Sequence, residues 1–270
     1  MNFWSFIIKI VSVLGSGWLG LPLAEQLLLR GMKVKASTTS TERLPEIVAI
    51  GAEPYIIDIR GLSDNIDVFL KSELLIVNIT SKSIADFNQL LGEIEKSTVK
   101  KVLFVSSTSV YKSNNDTVSE LQGQESEDSL LFQIEKLFHN CESIETTVLR
   151  FGGLIGYGRD PGNFFRSGKR VQNPDSPVNL IHRDDCISII EKIILHEIWS
   201  ETFNACADSH PTKREFYTKA ALRVGNPVPQ FDESGVSIYK RVSSQKLKDS
   251  LSYEFETADL MSVLDKKGVL

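Results

Sequence analysis

Near its start the chain carries Gly15-Ser16-Gly17-Trp18-Leu19-Gly20, the GxGxxG spacing of a phosphate-cradling turn. The motif follows the apolar run Val11-Ser12-Val13-Leu14 and leads into Leu21 to Leu28, so it is expected to join a strand to a helix. In that setting each glycine has its own reason. Gly15 permits the tight turn, Gly17 lets the backbone approach a pyrophosphate, and Gly20 lets the helix pack closely on the sheet. The free N–H groups and positive dipole end of the helix then face the anion. We read residues 15–20 as a dinucleotide loop; the plain alternative is a structural glycine turn.

The end of the second strand sets the dinucleotide type. An NAD site places Asp or Glu there, roughly 20 residues on, to grip the ribose 2′-hydroxyl. This chain reads Ser37-Thr38-Thr39-Ser40-Thr41-Glu42-Arg43. The hydroxyls of Thr38, Thr39 and Ser40 with the Arg43 guanidinium suit a 2′-phosphate better. NADP is therefore the expected cofactor, with NAD the alternative. An ordinary polar turn, capping the next helix through Ser40 or Thr41, fits the same residues.

These residues need a scaffold. Strand-like runs of Val, Ile and Leu occur at Ile8–Leu14, Lys33–Ser37, Pro54–Ile59, Glu73–Ile79, Lys101–Ser106 and Thr146–Phe151, as in parallel strands covered on both faces. Helical patterns lie between them, near 18–30, 42–50, 83–97 and 128–140. In the first, Gly20, Ala24, Leu27, Leu28 and Gly31 make one stripe. Such alternation implies a Rossmann-type, doubly wound parallel sheet. After Phe151 a glycine-rich loop ends the pattern. A helix near 185–197 opened by Asp184 or Asp185, a strand at Thr202–Ala205 and a helix near Thr212–Val224 follow. The expected organisation is an α/β cofactor domain over 8–155 and a small C-terminal α/β substrate lobe over 156–270, interleaved with the end of the sheet.

Composition excludes several classes. Over 270 residues, 30 Lys and Arg against 35 Asp and Glu leave a net charge of −5, which argues against nucleic acid or an anionic membrane as partner. Cys141, Cys186 and Cys206 form no CxxC pair and share no ligand spacing with the histidines, so neither a disulfide framework nor a metal site is expected. No apolar run reaches the roughly 20 residues of a spanning helix. The reading is a cytoplasmic protein with Phe3 to Phe6 as a short extension, which a homodimer interface or the sheet edge would cover.

Further segments carry a resemblance. Asp58-Ile59 follows the third strand, and Val105-Ser106-Ser107-Thr108-Ser109-Val110-Tyr111 ends the fifth. Leu149-Arg150-Phe151 precedes Tyr157-Gly158, Asn179 to Asp185 contains H-x-x-D, and Phe203-Asn204 precedes a helix. In this order the chain resembles the NAD(P)-dependent epimerase/dehydratase group, the extended branch of the short-chain dehydrogenase/reductase superfamily. GxGxxG in place of GxxGxxG, and the short length, resemble its atypical members. The resemblance places Asp58, Ile59, Thr80 and Ser106 with the cofactor and Thr108 and His182 with the substrate, and gives Ser107 the serine role in hydride transfer.

That chemistry also needs a Tyr-x-x-x-Lys pair, in which the Lys lowers the pKa of a Tyr acid/base. None of the 6 tyrosines has Lys four residues on. One register offers Phe132 and Lys136, the other Glu127 and Leu131. Lys136 would contact the nicotinamide ribose or stay solvated. Glu127 belongs to an acidic stretch (Asp116, Glu120, Glu125, Asp128, Glu135) that is either a flap carrying a replacement acid/base or a solvated loop. Arg159, Arg166, Lys169 and Arg170 lie where the family contacts substrate, and either suit an anionic one or form a solvated surface. Two functions follow: an oxidoreductase or epimerase acting on a small polar or sugar-like molecule, or a non-catalytic NAD(P)-binding redox sensor.

Overall fold

The Val, Ile and Leu runs do form strands, in order β1 (Ile10–Leu14), β2 (Lys33–Thr38), β3 (Glu53–Ile56), β4 (Leu74–Val77) and β5 (Lys101–Ser107). The helices between them are α1 (Gly20–Leu29), α2 (Leu44–Ala49), α3 (Ile66–Phe69) and α4 (Ile84–Glu95). There follow β6 (Asp116–Val118), α5 (Leu130–His139), β7 (Glu145–Phe151), β8 (Gly153–Ile155), β9 (Leu180–His182), α6 (Arg183–Leu195) and β10 (Thr202–Ala205). The chain closes with α7 (Lys213–Arg223), β11 (Lys240–Val242), α8 (Gln245–Leu251) and α9 (Leu260–Val263). The computed structural model describes residues 8–62, 65–234, 238–266 and 268–270. The extension expected at Phe3 to Phe6 lies outside them.

Seven strands make one sheet in the order β10-β7-β5-β4-β1-β2-β3. β1 pairs in parallel with both β2 and β4, the place where the strand order reverses. In such sheets ligands bind beyond the carboxyl ends of the strands at that reversal. β3 and β4 stop at Ile56 and Val77, short of the expected Ile59 and Ile79. The residues left over, Ile57 to Ile59 and Asn78 to Ile79, turn to line a cleft instead.

The chain divides into two compact units. One comprises Met1–Ser106, Glu127–Leu149 and Ile189–Thr202; the other comprises Ser107–Ser126, Arg150–Ser188 and Phe203–Leu270. In the first, α1 buries Gly20, Leu23, Ala24 and Leu27 on one stripe. α4 and α5 are N-capped by Ser83 and Ser129, whose hydroxyls accept from the N–H groups of Asp86 and Phe132. The rings of Phe87, Phe104 and Phe138 meet with centroids 4.9 to 5.9 Å apart. Burying each such side chain contributes about 1.5–3 kcal/mol.

The second unit is built from shorter pieces. β8 pairs in parallel with β9, and β6 with β11. A reciprocal capping box between Thr212 and Glu215 starts α7, which buries Phe216 beside Ile155, Val178 and Leu260. Asp184 and Asp185 do not cap α6, which begins at Arg183 and holds both acids in its first turn. Asp185 accepts from the Tyr253 hydroxyl at 2.8 Å and from the N–H groups of Glu256 and Thr257 at 2.8 and 3.1 Å. It fastens the C-terminal segment rather than its own helix, because three donors converge on its carboxylate.

Candidate functional site

The glycine loop of the first unit is held from two sides. Asn78, at the end of β4, donates from Nδ2 to the Gly15 carbonyl at 2.9 Å. Ser37, at the end of β2, accepts from the Gly15 N–H through Oγ at 3.1 Å; its carbonyl accepts from the Ser16 N–H and hydroxyl, both at 2.8 Å. Neither Ser37 nor Asn78 stands out in the sequence, since each acts from the end of a neighbouring strand.

The three glycines differ. Gly15 has φ +95°, and a Cβ on it would lie 2.4 Å from the Asn78 carbonyl oxygen. A Cβ on Gly20 would lie 2.1 Å from the Gly15 carbonyl oxygen. Around Gly17 nothing lies within 4 Å of that position. Packing thus accounts for Gly15 and Gly20 and leaves Gly17 unexplained by the protein itself. Its face is open space, just before the start of a helix with no acid in its first turn.

Beyond the loop a cleft of about 470 Å³ is lined by Gly15 to Gly17, Thr38, Thr39, Arg43, Asp58 to Arg60 and Asn78 to Ser81. It therefore gathers Thr80 as well as Asp58 and Ile59. Arg43 donates to the Ser16 carbonyl at 3.0 Å and also meets Glu46, which ties the second-strand turn to the glycine loop. Arg60, which the sequence did not single out, grips Asp58 and holds its carboxyl below the usual carboxylate range. Ser40, Trp18, Leu19, Gly20 and Ser106 do not line this cleft. Ser40 bonds Glu42, and Leu19 is buried. Ser106 donates to the fully buried Glu135.

Lys136 and Glu127, the candidates for proton transfer, satisfy each other. Lys136 Nζ lies 2.5 Å from Glu127 Oε2, with side chains 42% and 74% exposed. A pair so exposed contributes about 0–1 kcal/mol. The acidic stretch divides: Asp116, Glu127 and Asp128 are exposed, as a solvated loop would have them, and the other three acids are not. Glu135 is buried in the first unit, while Glu120 and Glu125 turn inward in the second.

There a polar cluster forms from distant segments. The Tyr111 hydroxyl donates to Asn204 Oδ1 at 3.0 Å and accepts from Arg150 Nη1 at 2.6 Å. Arg150 pairs with Glu125, and the Asn204 N–H donates to Glu120 at 2.5 Å. Burial pushes the Tyr111 phenol up to about 12 and raises Glu120 above the usual carboxylate range. Tyr111 is 3% exposed, and its hydroxyl is held from both sides.

The remaining predicted residues also fall in the second unit. Ser107 accepts from the Ser109 N–H at 3.1 Å and caps the short turn that buries Thr108. Arg159 is exposed, and its backbone closes a turn with Gly156. His182 is 1% exposed. Its Nε2 donates to the Val269 carbonyl at 2.8 Å, and its Nδ1 accepts from the Asp184 N–H at 3.3 Å. Both ring nitrogens are thereby engaged within the protein. Cys186 and Cys206 are buried free thiols, pushed up by that burial. Among the described residues no group of His, Cys, Asp and Glu could hold a metal ion. No helix of the described residues is long and apolar enough to cross a membrane.

No protein-family model matches the chain. Protein YeeZ of Escherichia coli K12 is 29% identical, over 93% of this chain and 97% of its own. A functionally unknown conserved protein from Silicibacter pomeroyi has a structure similar at TM-score 0.81 and 20% identity, covering 95% of this chain and 97% of that one. UDP-glucose-4-epimerase from Stenotrophomonas maltophila, solved with NAD and formylated UDP-arabinopyranose, is similar at TM-score 0.77 and 15% identity, over 96% of each chain. The chain thus has the Rossmann-type fold of the NAD-dependent epimerases, and the expected resemblance holds at the level of the fold.

Proposed function

We propose that the first unit binds NADP in preference to NAD, and that the protein is an oxidoreductase or epimerase for a small polar or sugar-like substrate. The observation that carries the first part is the open face of Gly17 beside a cleft edged by Thr38, Thr39 and Arg43. The backbone at Gly17 and the start of α1 would hold the pyrophosphate, the Gly15 and Ser16 N–H groups being bound to Ser37. Arg43 and the two threonine hydroxyls would hold the 2′-phosphate, and Asp58 and Ile59 would flank the adenine. When bound, the nicotinamide supplies hydride transfer. Ser107 would hold a substrate oxygen, and Arg159 an anionic group. NAD bound to the epimerase of the same fold supports the cofactor class, and its sugar nucleotide supports the substrate class.

The test is a comparison of dissociation constants for NADPH and NADH in wild type and Arg43→Ala. The expected result is tighter NADPH binding that Arg43→Ala weakens by about 10- to 100-fold, the loss of one charged hydrogen bond. Tighter NADH binding refutes the preference.

A second reading, a non-catalytic dinucleotide sensor, is favoured by the exposed Lys136–Glu127 pair and the engaged Tyr111 phenol. Incubation of the oxidised dinucleotide with UDP-sugars deuterated at the carbinol carbons separates the two, since oxidation of a hydroxyl passes that deuteride to the nicotinamide and releases a proton. Deuterated NADPH or an epimerised sugar supports the enzyme; dinucleotide binding with neither supports the sensor.

A further inference from the structure

The second unit holds a cavity of about 190 Å³ that shares no residue with the glycine-loop cleft. Its walls include Asp208, His210, Arg241, Ser243, Ser244 and Lys248. Lys248 is bound to Asp208 at 2.9 Å, which leaves the charge of Arg241 in excess. No ion-pair partner of Arg241 occurs among the described residues. Ser243 accepts the Gln245 N–H at 3.3 Å through Oγ, so its hydroxyl proton is still there to donate. His210 Nδ1 lies 3.0 Å from the Val178 carbonyl, which can only accept. Nδ1 therefore carries the ring proton, and Nε2 presents a lone pair.

We propose that this cavity is a binding site for a phosphate group, with Arg241 and Lys248 as the charged donors, Ser243 as a neutral donor, and His210 Nε2 as the acceptor of a P–OH proton. A guanidinium and an ammonium beside a hydroxyl match the oxygens of a tetrahedral anion. The acceptor adds selectivity. Phosphate keeps a proton near neutrality and sulfate does not, so the His210 lone pair favours the first and repels the second. Burial holds His210 below its ordinary pKa, which keeps that lone pair available at neutral pH.

The test is calorimetric titration of inorganic phosphate into the full chain at constant ionic strength. Saturable binding is expected, with sulfate weaker by about tenfold or more. Arg241→Ala should weaken phosphate by about tenfold or more, Arg241→Lys should recover part of it, and both should melt as wild type does. The titration is repeated with saturating NADPH to fill the glycine-loop cleft, and the phosphate affinity that Arg241→Ala weakens should persist. The proposal is overturned by the absence of saturable binding, or by equal affinity in wild type and Arg241→Ala. Loss of phosphate binding when NADPH is present would assign the phosphate to the cleft instead, and equal affinity for sulfate would remove His210 from the site.

Discussion

Gly17 allows fold and binding to be separated with a single methyl group. A Cβ there meets nothing within 4 Å, and Gly17 has no positive φ. Gly17→Ala should therefore fold normally and gain about 0.4–1 kcal/mol from the reduced freedom of its unfolded chain. If the pyrophosphate lies on this face, the methyl pushes it off the backbone N–H groups. Losing one charge-assisted hydrogen bond costs about 1.5–3 kcal/mol, a loss of roughly 10- to 150-fold in affinity. Gly20→Ala is the contrasting variant, because its Cβ would lie 2.1 Å from the Gly15 carbonyl oxygen. The backbone must shift there, at about 1–3 kcal/mol. The assay is thermal melting alongside NADPH titration by fluorescence. Gly17→Ala should keep or raise its melting temperature and lose NADPH; Gly20→Ala should melt lower. An unchanged NADPH affinity in Gly17→Ala would show that no phosphate sits over Gly17, and the cofactor assignment would fall with it.

Three further outcomes follow from the second unit. Arg150→Met leaves Glu125 buried without its guanidinium, since the two side chains are 3% and 9% exposed. Such a loss costs about 3–5 kcal/mol, a melting-temperature fall on the order of 10 °C that Arg150→Met with Glu125→Leu should largely recover. A fall no smaller in the double variant would contradict the pairing. Burial raises Glu120 in the folded state above its ordinary 4.5, so the folded chain binds that proton more tightly. Stability should then decline as pH rises from 4.5 through the higher folded value, and Glu120→Gln should lack this decline in urea midpoints measured against pH. A slope identical in both proteins would count against it. Finally, Arg159→Ala should weaken an anionic substrate and leave NADPH binding intact, as read by titration of each; unchanged substrate affinity would remove Arg159 from the site.

Continuous apolar runs and the glycine spacing were enough to read the parallel sheet and the loop, because a doubly covered strand has few residues that can occupy it. Strands of three residues, such as Asp116–Val118 and Lys240–Val242, carry too little pattern to be read at all. Their pairing is decided by what folds around them. Thr38, Thr39 and Arg43 were legible as one group and do line the cleft, whereas Ser37 and Asn78 were not, since their partners lie 22 and 63 residues away. The same distance effect hid the second unit's cluster. Tyr111, Arg150 and Asn204 were each visible as motif residues, yet nothing local says that a phenol, a guanidinium and an amide meet. The acidic stretch was only half legible, because charge density along a sequence does not tell which carboxylates turn inward, as Glu120, Glu125 and Glu135 do, and which stay exposed.

The order in which the segments are synthesised bears on how the first unit forms. Its last piece, Ile189–Thr202, follows Ser107–Ser126 and all of Arg150–Ser188 in the chain, though these belong to the other unit. Translation at about 5–20 residues per second puts on the order of ten seconds between Ser106 and Thr202 leaving the ribosome. Through the first half of that interval β5 has no β7 to pair with, since β7 ends only at Phe151. Neither unit is a continuous stretch of sequence, so no cut at a single peptide bond separates the two whole.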